Sequence, residues 1–150
     1  MEFQSVDQVL DYAISKEEEA AVLYTELAER SERPGMRDAF LEFAHEEEGH
    51  IRHLESIRAG ELPALTVRQV KGLGIAEHVS AQQPSPDTTY PEALAFAIKA
   101  EQAANELYSA LAEATDDPNV STIFTILADE EAEHKRRVEL EYDEVVLEGN

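Results

Sequence analysis

Apolar residues recur along four stretches of the chain at alternating spacings of four and three, the pattern of an amphipathic α-helix that faces a core. In the first stretch this stripe begins with Val6, Leu10 and Ala13. Capping-box sequences beginning at Ser5 and Thr89 mark the starts of the first and third stretches. The pattern predicts four helices, over residues of about 6–30, 36–59, 90–115 and 120–145.

Residues 61–88 break this pattern, because their apolar periodicity is poor and prolines and glycines interrupt them. The interrupting residues are Pro63, Gly72, Gly74, Pro84 and Pro86. A connection of this length is unusual inside a compact domain unless it crosses a helical bundle from end to end. The segment therefore predicts a long crossover between two helical hairpins.

The second predicted hairpin repeats the first at a constant offset of 84 positions. Leu10 matches Leu94 at this offset, and Pro34 matches Pro118. A hairpin that is used twice predicts an all-α fold, an antiparallel four-helix bundle with pseudo-twofold symmetry. A chain of 150 residues has the size of one domain, so we expect residues 1–150 to form a single domain.

Each of the four apolar stripes is interrupted by charged or titratable residues near its middle. The second and fourth stripes each carry a Glu-x-x-His motif, and the first and third each carry one glutamate. The six interrupting residues are Glu17, Glu47, His50, Glu101, Glu131 and His134. A charged group at a core position is costly unless another group pairs it.

The spacing along each hairpin predicts that these six residues meet. Glu17 lies 14 residues before the turn at Ser31, and Glu47 lies 16 residues after it. At about 1.5 Å rise per residue each arm covers roughly 20 Å, so antiparallel helices place the two glutamates at one level. The repeat predicts that the corresponding glutamates of the second hairpin also lie at one level. Four carboxylates and two imidazoles suit two divalent ions, Fe²⁺ or Mn²⁺, with Zn²⁺ as a substitute.

Several neighbours of these residues are candidates for a supporting role. Tyr24 and Tyr108 lie two helical turns beyond Glu17 and Glu101, and are either core aromatics or phenols hydrogen-bonded to a ligand carboxylate near the reactive centre.

Glu46 and Glu130 are placed to accept a hydrogen bond from a ligand imidazole. The three other histidines fit no core position and are predicted to lie at the surface: His45, His53 and His78.

The composition excludes several classes of protein. A net charge of −21, from 33 acidic and 12 basic residues, disfavours nucleic acid and anionic membranes as partners. The chain has no cysteine, which excludes disulfides, thiolate zinc sites and iron–sulfur clusters. No apolar run is long enough to span a membrane and the N-terminus shows no signal-peptide pattern, so we expect a cytoplasmic protein.

The residues resemble the ferritin-like superfamily, and most of all its rubrerythrin-like branch. The resemblance rests on the helix segments that end in Glu17 and Glu101, each with its tyrosine seven residues on, and on the two Glu-x-x-His motifs. It implies a ferritin-like bundle with two iron ions that react with O₂ or H₂O₂. It also implies that the six interrupting residues are the ligands, with Glu47 and Glu131 bridging and Glu17 and Glu101 terminal.

The chain departs from the rubrerythrin pattern in two respects. It lacks the cysteines of a rubredoxin-like iron domain, and Ala104 stands where that family has a further carboxylate. A separate electron-donor protein is therefore expected if the iron turns over. Little sequence follows the fourth helix, so a homodimer or larger homo-oligomer is expected rather than a 24-subunit shell.

Three alternatives to turnover at a di-iron centre stay open at the level of sequence. The chain could bind or store iron without turnover, or hold two manganese ions in the manner of a dimanganese catalase. It could also be a metal-free helical interaction module. The ligand types do not separate manganese from iron.

Overall fold

The structure, a computed structural model, describes residues 5–58 and 84–148 and consists there of four long α-helices. These are α1 (Val6–Arg30), α2 (Pro34–Arg58), α3 (Tyr90–Ala114) and α4 (Pro118–Glu148). The predicted all-α fold is confirmed. Most of the predicted crossover, together with His78, lies outside the described residues.

The helix ends follow from local hydrogen bonding. The Ser5 hydroxyl accepts a hydrogen bond from the backbone N–H of Gln8 at 3.1 Å. At the start of α3, the Thr89 hydroxyl accepts from the backbone of Glu92, whose carboxylate accepts from the backbone of Thr89 in return, a complete capping box. Helices α2 and α4 begin two residues earlier than predicted, each at a proline, because the first turn of a helix needs no backbone N–H there.

The four helices form the two hairpins that the repeat predicts. Helix α1 packs along α2 and α3 packs along α4, whereas contacts from α1 to α3 and from α2 to α4 are fewer. No helix in the described ranges combines the length and hydrophobicity of a membrane span. The space left between the hairpins is where the polar residues of the four stripes lie.

The apolar core is divided into two layers. The first apolar layer joins the start of α1, the end of α2, the end of α3 and the start of α4, and includes Leu10, Leu54, Leu111 and Phe124. The second joins the opposite helix ends and includes Leu27, Phe40, Leu94 and Val138. Because the start of α1 and the end of α3 share a layer, these two helices are antiparallel. The middle of every helix lies between the layers.

One end of the bundle carries a polar network that has no counterpart in the other half of the repeat. Glu141 takes the position that Ile57 has in the first hairpin, and only 4% of its surface is exposed. Tyr90 donates a hydrogen bond to its carboxylate at 2.7 Å, and Arg33 forms an ion pair with it. Arg33 also pairs with Glu144. The network ties the α1–α2 turn to the last turns of α4.

Removing the Tyr90 hydroxyl by Tyr90→Phe should lower the free energy of unfolding by about 1–3 kcal/mol, because a buried carboxylate loses a hydrogen bond. Urea denaturation measures this change. Tyr142→Phe is the matched control, since Tyr142 is half-buried in the second apolar layer and its hydroxyl makes no hydrogen bond within residues 5–58 and 84–148. Equal stabilities for the two variants would contradict the assignment.

Candidate metal centre

Every helix contributes polar side chains from its middle to one buried layer. Helix α1 contributes one carboxylate, α2 a carboxylate and an imidazole, and α3 and α4 repeat this pattern. The six side chains are Glu17, Glu47, His50, Glu101, Glu131 and His134. None is more than 3% exposed. The structure thus places all six predicted residues at core positions, where the interrupted stripes put them.

The six side chains form two overlapping groups, each able to hold a metal ion. The first group is Glu17, Glu47, His50 and Glu131, and the second is Glu47, Glu101, Glu131 and His134. Within each group one ligand atom per residue lies within 4.8 Å of all the others. Glu47 and Glu131 belong to both groups, so two ions held here would share them.

Both imidazoles direct their Nδ1 atom at the carboxylates. The Nδ1 of His50 lies 3.1 Å from Glu17 Oε2 and 3.4 Å from Glu131 Oε1. The Nδ1 of His134 lies 3.2 Å from Glu47 Oε1 and 3.4 Å from Glu101 Oε2. These nitrogens are the atoms that would face a bound ion.

The opposite ring nitrogens contact the carboxylates that precede the two Glu-x-x-His motifs. The Nε2 of His50 lies 2.6 Å from Glu130 Oε2, and the Nε2 of His134 contacts Glu46. Each glutamate therefore reaches the imidazole of the other hairpin. An Nε2–H donated to a carboxylate leaves the Nδ1 lone pair facing inward, the arrangement that orients a metal-bound histidine.

Without a cation, the layer retains protons. Burial raises the pKa of Glu17, Glu47 and Glu101, that of Glu101 to about 8, and the neighbouring Glu131 carboxylate raises each further. Burial opposes protonation of the imidazoles, but the carboxylates beside them raise the pKa of His50 to about 9 and of His134 to about 11. The layer thus binds protons that solvent-exposed groups would release.

Glu131 behaves differently from the other three carboxyls. Burial acts to raise its pKa, but the adjacent His134 and Glu47 side chains and the charges of both imidazolium rings lower it below the ordinary value. Glu131 lies at the centre of the layer and faces both imidazoles, so it is the carboxylate that keeps its charge.

Buried atoms without a hydrogen-bond partner concentrate in this layer. Of such atoms in the described part of the chain, five belong to the two groups: both oxygens of Glu47, Oε2 of Glu101, Oε1 of Glu131 and Nδ1 of His134. Buried polar atoms are rarely left without partners, because each one costs desolvation free energy. Oxygen and imidazole nitrogen donors left free at this place fit divalent cations.

The rubrerythrin family model matches residues 8–71 and 92–149, which is most of the chain. This chain belongs to the rubrerythrin family. The two matched stretches contain both hairpins and all six residues of the buried layer. No curated protein and no solved structure matches the chain.

Two departures of this rubrerythrin-family chain bear on its chemistry. Ala104, three residues after Glu101, packs against the first apolar layer and offers no ligand atom. The sequence has no cysteine, so the chain holds no thiolate-ligated iron. The donors available to a metal in the layer are therefore carboxylates and imidazoles alone.

The two tyrosines occupy equivalent places in the repeat and have matching aromatic neighbours: Tyr24 stacks on Phe40 with centroids 5.9 Å apart, and Tyr108 stacks on Phe124 at 6.2 Å. Tyr108 Oη donates a hydrogen bond to Glu17 Oε1 at 2.8 Å. Tyr24 Oη makes no hydrogen bond of standard geometry among the described residues, although Glu101 lies close enough to raise the pKa of its phenol. Burial and the nearby carboxylates raise the pKa of both phenols well above 10, so both stay neutral. For both Tyr24 and Tyr108, a role in the reaction remains a prediction.

The surroundings of the two imidazoles also differ, which the repeat did not predict. The ring of Phe43 lies 4.3 Å, centroid to centroid, from that of His134. The repeat places Leu127 at the position of Phe43, so His50 has no such neighbour from α4. The difference between Phe43 and Leu127 is visible in the sequence as a departure from the repeat. His45 and His53 are exposed, as predicted.

We expect the metal-free protein to lose stability as the pH rises from 6.5 to about 9. The folded layer keeps the proton of Glu101 up to about pH 8, that of His50 up to about pH 9 and that of His134 throughout this range, whereas the unfolded chain has released them. The folded state therefore binds more protons, and its free energy of unfolding falls with rising pH by on the order of a few kcal/mol. Urea denaturation of chelator-treated protein at several pH values measures it.

Glu101→Gln is the control for this dependence. The substitution removes one titrating carboxyl and a negative charge beside the Nδ1 of His134 that raises the pKa of this imidazole, so the fall of stability with pH becomes shallower. A metal-free wild-type protein that gains stability between pH 6.5 and 9 would show that the layer does not retain these protons.

The variants Glu46→Gln and Glu130→Gln should each weaken metal binding by about 10- to 100-fold, because each imidazole loses the carboxylate that orients it. Competition with a chromophoric chelator measures the affinity for Zn²⁺ and Fe²⁺. Glu48→Gln is the matched control, an exposed glutamate on the same turn of α2. Affinities that agree within twofold across all three variants would exclude the orienting role.

Proposed function

We propose that this chain is a non-haem di-iron carboxylate protein that reacts with O₂ or H₂O₂, an oxidoreductase of ferroxidase, oxidase or peroxidase type. The observation that carries the proposal is the pair of overlapping groups, with four carboxylates and two imidazoles in one buried layer. Membership of the rubrerythrin family supports iron as the metal.

The shared carboxylates determine how two ions would be held. Glu47 and Glu131 would bridge the ions, while Glu17 with His50 and Glu101 with His134 would complete the separate positions. This is the division of roles that the family resemblance implies. Four carboxylates can balance two divalent ions, so ion binding relieves the repulsion that otherwise holds protons in the layer.

Bound as ferrous ions, the pair would supply two electrons to O₂ or a peroxide. The chain's own residues bind, orient and shield: the two apolar layers exclude water from above and below. Glu46 and Glu130 fix the imidazole rings, and the Tyr108 hydroxyl holds one oxygen of Glu17. This hydrogen bond leaves the other oxygen of that carboxylate, which lies beside His50, to face the ion.

Return of the iron to the ferrous state would require an electron donor outside the chain. No cysteine is present to hold a second redox centre, so a separate donor protein is proposed for a peroxidase or oxidase cycle. A ferroxidase would need no donor, because ferrous iron is then the substrate. We propose a homodimer or larger homo-oligomer as the working assembly.

Anaerobic titration with Fe²⁺ tests the proposal. We expect about two ions per chain, a higher melting temperature on loading because the ions bind only the folded state, and the near-ultraviolet absorption of ferric iron after O₂ or H₂O₂ is added. Glu47→Gln and Glu131→Gln should bind fewer ions, and the exposed Glu48→Gln should bind as many as the wild type.

The same experiment separates the rival functions. Binding of fewer than one ion per chain, with no change in melting temperature, would exclude a di-iron centre and favour a metal-free module. Hundreds of irons retained by a large hollow particle would indicate storage instead of turnover. O₂ release from H₂O₂ by manganese-loaded protein, without such activity in the iron form, would indicate a dimanganese catalase.

A further inference from the structure

A groove of about 750 Å³ lies between α1 and α3 and reaches the carboxylates of the buried layer. The carboxylates that line it are Glu17, Glu47, Glu101 and Glu131. Neither imidazole lines the groove within the described residues; His50 and His134 contact Glu130 and Glu46 instead. The groove is therefore an approach to the carboxylate side of the proposed metal pair.

Apolar side chains form most of the groove walls. Matching positions of the two halves line it, small at the middle and larger towards the ends: Ala20 and Ala104, Leu23 and Leu107, Tyr12 and Phe96. Helix α3 adds Ala100 and Ala103. Ala20 and Ala104 each lie three residues after a carboxylate of the groove floor, hence on the same helix face one turn further on. Their small size leaves the space above Glu17 and Glu101.

The size of the groove exceeds what O₂ or H₂O₂ requires. A water molecule takes up about 30 Å³ of liquid, and either oxidant is of similar scale. A volume of about 750 Å³ lies instead in the range of pockets that hold organic molecules, roughly 300–1,000 Å³. The eleven helical steps from Tyr12 to Leu23 give the groove a length of roughly 16 Å.

The charges around the groove favour an uncharged ligand. Four carboxylates form its floor, and two divalent ions bound there would only balance their charge, so the deep end offers no net positive charge to attract an anion. Of the lysines that line it, Lys16 is paired with Glu19 at 3.2 Å and Lys135 lies 3.9 Å from Glu139. Lys99 is exposed. None of these three is buried, so an anionic head group would be held only at the solvent side, away from the floor.

We infer that the groove binds an uncharged organic hydroperoxide, ROOH, with its apolar group along the alanine-rich wall of α3 and its peroxide group at the carboxylate floor. This assignment rests on the proposed di-iron function and specifies its oxidant. Reduction of ROOH breaks the O–O bond and consumes two protons and two electrons, one from each of two ferrous ions. The products are an alcohol, ROH, and water, and two ferric ions remain.

The first test compares a bulky apolar hydroperoxide with H₂O₂ on the same iron-loaded protein. Cumene hydroperoxide should oxidise the anaerobic ferrous protein at least as fast as H₂O₂ at equal concentration. A second readout is independent of turnover: the corresponding alcohol, 2-phenyl-2-propanol, should bind the oxidised iron-loaded protein in a calorimetric titration.

Groove-filling variants locate the bound molecule. Ala104→Phe on α3 and Ala20→Phe on α1 should each lower the rate with cumene hydroperoxide, relative to the rate with H₂O₂, by at least about tenfold, and abolish alcohol binding. Ala110→Phe is the matched control, because Ala110 is on α3 outside the groove and both apolar layers. The control should keep the wild-type ratio of rates and bind the alcohol.

Three results would overturn the inference. The first is wild-type protein that reacts with H₂O₂ but neither reacts with cumene hydroperoxide nor binds the alcohol. The second is an unchanged ratio of rates and unchanged alcohol binding in both groove variants. The third is a loss of dimer mass in those variants by light scattering, which would show that a second copy occupies the groove. If neither peroxide oxidises the ferrous protein, the proposed function fails, and the calorimetric titration still decides whether the groove binds the organic molecule.

Discussion

The mutual repulsion of four buried carboxylates is the constraint to which the rest of the bundle is adjusted. Each ion taken out of water costs several kcal/mol unless opposite charge or hydrogen-bond donors meet it. The bundle supplies two imidazoles and the Tyr108 phenol, and four of the eight carboxylate oxygens, both of Glu47 and one each of Glu101 and Glu131, have no donor in the described part of the chain. Protons or divalent cations must supply what is missing. The sparse contact between the hairpins leaves room for the cations.

The two sides of the buried layer have different chemistry. On the α2–α4 side, each imidazole contacts a glutamate of the other hairpin, which fixes the orientation of its ring. On the α1–α3 side, small alanine side chains line a groove whose floor is formed by the buried carboxylates. A centre built in this way is held rigidly from one side and reached from the other. Such a division lets the walls of the groove change without disturbing the residues that orient the imidazoles.

Helical periodicity was sufficient to predict the fold and the level at which the six side chains meet. A stripe interrupted at its middle identifies a buried position whatever the neighbouring helix is, and the repeat gives four such stripes. The partner of each flanking glutamate was not predictable, because it depends on how one hairpin is rotated against the other. Whether a groove exists depends on the distance between α1 and α3, and the spacing of residues within one helix does not determine that distance. The exchange of Ile57 for Glu141 was visible in the repeat, but its partners Arg33 and Tyr90 come from distant turns.

The crossed contacts of Glu46 with His134 and of Glu130 with His50 bear on the origin of the centre. Each contact joins the two hairpins, and the repeat converts one contact into the other. Twofold symmetry imposes the same relation on two identical subunits. A single ancestral hairpin paired with its own copy would already possess both crossed contacts and the equivalents of all six buried side chains. Gene duplication and fusion would then preserve this arrangement. Later substitutions, such as the one that distinguishes Phe43 from its repeat equivalent Leu127, would make the two halves unequal.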